Sequence, residues 1–266
     1  MSRTRGAWNT KGTWIAGVAL AVVLGLTGYA LLGGDGDGEA STPAKGEAGP
    51  SVTGTASPQA TYAAPADWTE PERWTALPRG ERRDDYGSTV GFPQTTEGAV
   101  AMMAAANNSS VEGSKSSVSE QMRVYRSYIG KSDQSAKNAE AIELNAKNTD
   151  KTLATEMGVA PGQPLPSGAY ARSTVVGYKV IKASSGEVSV WLLARVVQKN
   201  GETAKESGSY SRTLVAAQWE GGDWKLTSAA TVRAQQDAKA AAQPAMVAPG
   251  DAAFNAAGWT AIREAS

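Results

Sequence analysis

Thr13 to Leu32 reads TWIAGVALAVVLGLTGYALL, twenty residues without a charged side chain. At 1.5 Å of rise per residue, a helix of that length spans the roughly 30 Å hydrocarbon layer of a bilayer. Trp8, Trp14 and Tyr29 lie near its two ends, where amphipathic rings favour the headgroup zone. Arg3, Arg5 and Lys11 precede it, whereas every acidic residue of the chain stands at Asp35 or later. The positive-inside rule then keeps the N-terminus cytoplasmic. A cleaved signal peptide is the competing reading, but its apolar region runs only about 7–15 residues and ends in a small-residue A-x-A site. This run is longer, and no such site follows it. The expectation is a cytoplasmic stretch at 1–12, one transmembrane helix at 13–32 in contact with membrane lipid, and a single-pass cell-membrane protein whose C-terminal part lies outside.

Charge and composition narrow the chemistry of that outer part. Beyond the three leading basic residues the chain carries 23 Lys+Arg against 26 Asp+Glu, mildly acidic and without a long basic run. No direct nucleic-acid binding is expected. The chain has no Cys and no His, which removes disulfides, thiol nucleophiles, Ser-His-Asp triads and His- or Cys-ligated metals. Ser-x-x-Lys, Gly-x-Ser-x-Gly, the Walker A loop and Gly-x-Gly-x-x-Gly are also absent. Asp35-Gly-Asp37-Gly-Glu39 lacks the order of a calcium loop and reads as solvated linker. No catalytic, cofactor-binding or metal-ligating residue is expected. Asp150 and Glu156, which flank a helical stripe, read as solvated.

Residues 33–66 are rich in Gly, Ala, Pro, Ser and Thr and bury too little apolar surface to offset ordering, so they read as a disordered linker. Residues 67–94 read as an extended strap carrying Trp68 and Trp74. Three helical periods follow: Thr96 to Ala106 with Thr95 or Thr96 as N-cap, a helix opened by the box Ser117-Val-Ser-Glu120 with the stripe Val118, Met122, Tyr125, Ile129, and Asp133 to Met157 ended by Gly158. The period then switches to two in Tyr170–Lys182, Glu187–Lys199, Ser207–Glu220 and Asp223–Arg233. A two-residue turn at Gly221-Gly222 sets Trp219 opposite Trp224 and Ala217 opposite Leu226. If the preceding hairpin is centred on Thr203, Trp191 and Leu193 share their face. Val190, Leu192, Leu214 and Ala216 make the other face apolar too, so both faces need covering. Residues 234–250 read as a second linker, and 251–266 as a docking segment carrying Phe254, Trp259 and Ile262.

Helices followed by a four-stranded meander give an α+β domain over 95–233: three helices on a four-stranded curved antiparallel sheet. That order, with the closing hairpin Gln218-Trp219-Glu220-Gly221-Gly222-Asp223-Trp224-Lys225-Leu226, resembles the nuclear-transport-factor-like cone fold. Joined to one N-terminal membrane helix, it is similar to the bitopic scaffold subunits of conjugative type IV secretion systems. The whole chain also resembles membrane-anchored proteins of actinobacterial integrative and conjugative elements. The resemblance implies an extracytoplasmic binding or scaffold protein of a DNA-transfer assembly, with other membrane or secretion-machine proteins as partners and a homo-oligomer among the arrangements admitted. It brings no catalytic residues. The alternative is a membrane-tethered ligand-binding or enzymatic cone domain of isomerase or cyclase type. The interaction candidates are the large aromatics Trp68, Trp74, Trp191, Trp219, Trp224, Phe254 and Trp259.

Overall fold

The computed structural model describes residues 68–239 and 242–263. Chain order is β1 (Trp74–Ala76), β2 (Arg82–Arg83), β3 (Thr89–Val90), α1 (Thr96–Asn107), β4 (Ser109–Glu112), α2 (Ser117–Tyr128) and α3 (Ala136–Glu156). The long strands β5 (Ala169–Ala183), β6 (Glu187–Asn200) and β7 (Ser207–Glu220) follow, then β8 (Asp223–Leu226), α4 (Ser228–Ala238), α5 (Ala252–Ala256) and β9 (Thr260–Arg263). The expectations for the transmembrane helix at 13–32, its cytoplasmic lead and the 33–66 linker lie outside the described residues. No helix among the described residues is long and apolar enough to cross a membrane.

The expected four-stranded antiparallel sheet under three helices is corrected on both counts. The sheet has seven strands in the order β1-β9-β5-β6-β7-β8, with β4 also on β5, and it is mixed because β1 and β9 run parallel. Five α-helices accompany it among the described residues. Of the additional strands, β1 and β9 come from segments read as a strap and a docking tail, and β4 from the connection between the first two expected helices. β9 pairs Gly177 and Tyr178 of β5 on one side and the whole of β1 on the other. The supposed strand Asp223–Arg233 stops at Leu226, where Thr227 turns extended and its side chain accepts from the Ala230 N–H to cap α4.

Local signals place the helices. Thr95 caps α1 through the Gly98 N–H, and Ser135 caps α3 through Asn138. The capping box of α2 is Ser116 with Ser119, one residue before the expected one. This frees Glu120 to turn inward, buried, against Lys115 at 2.9 Å and Arg123 at 3.2 Å. The buried face of α2 is rotated accordingly and holds Ser117, Gln121, Val124, Tyr125 and Tyr128.

Parity along the strands sorts the core into two layers. Val188, Val190, Leu192, Val215, Ala217 and Trp224 pack with α1 and α2 on one side of the sheet. Trp191 and Leu193 face the other way, against Phe254, Trp259 and Ala261. The expectation that Trp191 shares a face with Trp219 and Trp224 is therefore corrected. Trp219 does stand opposite Trp224, but β6 and β7 pair Trp191 with Leu214 and Val190 with Val215. A hairpin centred on Thr203 would have set Trp191 against Val215. One residue of register moves a side chain to the opposite face.

Candidate interaction surface

The aromatic side chains singled out from sequence serve the interior to different degrees. Trp224, Phe254 and Trp259 are fully buried, and Trp191 is 8% exposed. The Trp224 indole donates to the Pro93 carbonyl at 2.9 Å, and that of Trp259 to the Ala245 carbonyl at 2.8 Å. Phe254 and Trp259 stack with centroids 6.5 Å apart, and their layer covers Trp191 and Leu193. Gly177 leaves room for this docking, since a Cβ there would lie 3.3 Å from the Phe254 ring. Trp68, Trp74 and Trp219 are half-buried. The Glu70 carboxylate accepts from both Trp68 and Trp74 indoles, at 3.0 and 2.9 Å. Trp68 lies across Gly250, whose φ of 99° and missing Cβ are both required there: a Cβ would fall 2.2 Å from the ring.

The carboxylates nearest the helix–sheet space are likewise engaged in holding the fold. Asp150, read as solvated, accepts from the Ser117 and Val118 N–H groups at 2.6 and 3.2 Å and so closes the N-terminus of α2. Glu156 accepts from Gln198 at 3.0 Å. Asp223, buried beside the β7–β8 turn, accepts from the Gly91, Phe92 and Trp224 N–H groups at 3.1, 3.2 and 2.9 Å. Among the described residues no cluster of three acidic side chains has the spacing of a metal site. A shallow groove lined by Arg79, Arg82, Arg83, Glu81 and Phe92 mixes both charges.

A different feature emerges at the edge of the sheet. The Trp219 N–H donates to Gly186 on the β6 side, so the odd residues of β7 bond to β6 and the even ones turn their N–H and C=O groups the other way. β8 meets those outward groups only over Ala217–Glu220. From Ser207 to Ala216, the outward groups of Gly208, Tyr210, Arg212, Leu214 and Ala216 meet no hydrogen-bonding partner among the described residues. This stretch has no Pro, no Lys and no bulge. Its single charge, Arg212, is turned back over the Trp191 ring at 5.4 Å and donates to the Pro244 carbonyl and the Gln243 side chain. Burial lowers the Arg212 pKa and raises that of the neighbouring Tyr210.

The other edges are protected. β1 and β8 are three and four residues long, and Gly130 donates to the Leu226 carbonyl on the outer side of β8. β5 carries two bulges and is flanked by β4 and β9. Sequence reasoning identified the strand Ser207–Glu220 but missed its open edge. The shortness of β8, set by the Thr227 cap, was the signal that could have exposed it. No family model, curated protein or solved structure matches this chain.

Proposed function

We propose that this chain is a membrane-anchored, non-catalytic binding protein that displays residues 68–263 outside the membrane and recruits its partner along the β7 edge. The observation that carries this reading is the open stretch Ser207–Leu214, where unpaired backbone groups offer a template for strand addition. The uncharged run Thr13–Leu32 supports the anchor, and the basic residues before it support the orientation. The resemblance to conjugation scaffold subunits adds the class of assembly, a DNA-transfer machine whose subunits meet outside the membrane. The test is to cross-link the full chain in its own membrane through a photo-reactive residue in place of Tyr210, with one in place of the exposed Leu144 as control. Adducts specific to position 210, together with retention in membranes after a carbonate wash, are expected. Release of a soluble form shortened near Leu31 overturns the anchor, and adducts at both positions alike overturn the edge.

A further inference from the structure

We infer that the occupant of the β7 edge is the β7 edge of a second copy of this chain, antiparallel about a two-fold axis through Ser211. The inference rests on the edge being the partner surface. Its first support is self-complementarity, which a two-fold contact demands of one patch. In this register Tyr210 stands opposite Arg212 of the other copy, and Arg212 opposite its Tyr210. Each pair sets a ring against a guanidinium already seated on an aromatic face. Gly208 stands opposite Leu214, small against large. Shifting the axis to Arg212 would set the two guanidinium groups against each other, which like charges disfavour.

The second support is independent of the edge's backbone. The Ser211 and Thr213 hydroxyls are buried and have no hydrogen-bond partner in the single chain. Ser211 and Thr213 pair with Ala194 and Leu192, so their side chains lie on the helix-covered face, where no neighbouring strand offers a polar group opposite them. In the two-fold register Ser211 meets Ser211 of the other copy, and Thr213 meets Ser209. These are the non-hydrogen-bonded positions of an antiparallel pair, where Cα atoms approach to about 4.5 Å and cross-strand hydroxyls reach one another. A second copy therefore satisfies the outward backbone groups directly, and the orphaned hydroxyls once the Ser211 and Thr213 side chains turn toward the axis.

The absence of cysteine makes the register testable in the full chain. Ser211→Cys places two thiols across the axis, within the Cα range of about 4.4–6.8 Å that a disulfide tolerates. Mild oxidation in membranes is expected to link S211C into a covalent dimer, and to link S209C to T213C when the two are co-expressed but neither alone. Light scattering of the detergent-solubilised wild type is expected to give the mass of a dimer. Tyr210→Lys, which sets a cation opposite Arg212, is expected to weaken that dimer about tenfold, whereas Tyr210→Phe, which keeps the ring packed toward Trp191, is expected to leave it intact. A monomeric wild type overturns the inference, as does linkage by S209C alone, which would mean a parallel pair or an axis shifted to Ser209. S211C joined only to a different protein removes the second copy but keeps the edge as a partner surface. Adducts absent from position 210 and from S211C remove both.

Discussion

The rings of Trp219 and Trp224 meet edge to face, with centroids 5.3 Å apart and planes at 74°, on the side of the sheet that the helices cover. Cross-strand pairing fixes this contact, and the two rings carry unequal loads. Trp224 has no exposed surface and donates to Pro93, whereas Trp219 is half-buried. Trp224→Ala should cost about 3–5 kcal/mol, with a cavity and an unpaired carbonyl added to the lost transfer energy. Trp219→Ala should cost roughly 1–3 kcal/mol. Chemical denaturation of the two variants side by side checks the order.

Asp223 ties the β7–β8 turn to the segment before α1. With Asn in its place one oxygen becomes an NH₂ group that faces a backbone N–H, so at least one buried donor among Gly91, Phe92 and Trp224 loses its acceptor. Asp223→Asn should lower stability by about 1–3 kcal/mol. Hydrogen exchange should report it first at the amides of Gly91 and Phe92, while the Ile142 amide in α3 stays protected.

Tyr128 is buried beneath the β2–β3 hairpin and donates to the Thr89 carbonyl at 2.8 Å. Burial is the main cause that raises its phenol above the usual 10.0. A raised acid binds its proton more tightly in the folded state, so its contribution is complete below pH 10.0 and is lost as pH rises through the folded value. Tyr128→Phe should lower stability by about 0.5–1.5 kcal/mol at neutral pH. It should also flatten the alkaline fall in stability, measured by denaturation at a series of pH values from 8 to 11.

Trp259 and Phe254 are the lid over Trp191 and Leu193. Trp259→Ala should destabilise by about 3–5 kcal/mol. Ending the chain after Gly250 removes β9 as well, exposing that face and the edge of β5 at Gly177 and Tyr178. The shortened chain should bind a hydrophobic dye and aggregate, and a soluble, dye-silent truncation would contradict this packing.

Much of this architecture was legible because its signals are local. The Gly221-Gly222 turn, with φ of 59° and 85°, set the Trp219–Trp224 register. Thr95 and Gly158 marked the start of α1 and the end of α3. The placement of Trp191 was not legible, because the six-residue loop Gly201–Glu206 admits more than one register and each shift reverses every face. Asp223–Arg233 read as a strand because Trp224, Leu226, Val232 and two threonines outweighed the alanines. Yet Thr227 followed by Ser228-Ala229-Ala230 already had the form of a capped helix start.

By itself the sequence determined what neighbours in the chain can enforce: caps, turns, the period of each element, and the absence of thiol and imidazole chemistry. Only the tertiary structure decided that the first and last segments, Trp74–Ala76 and Thr260–Arg263, share a ladder. A parallel pair separated by nearly the whole domain leaves no local trace, since its register depends on loops and packing between the two strands. The open edge of β7 was decided the same way, because an unpaired edge is a property of what fails to arrive beside a strand, not of the strand's own residues.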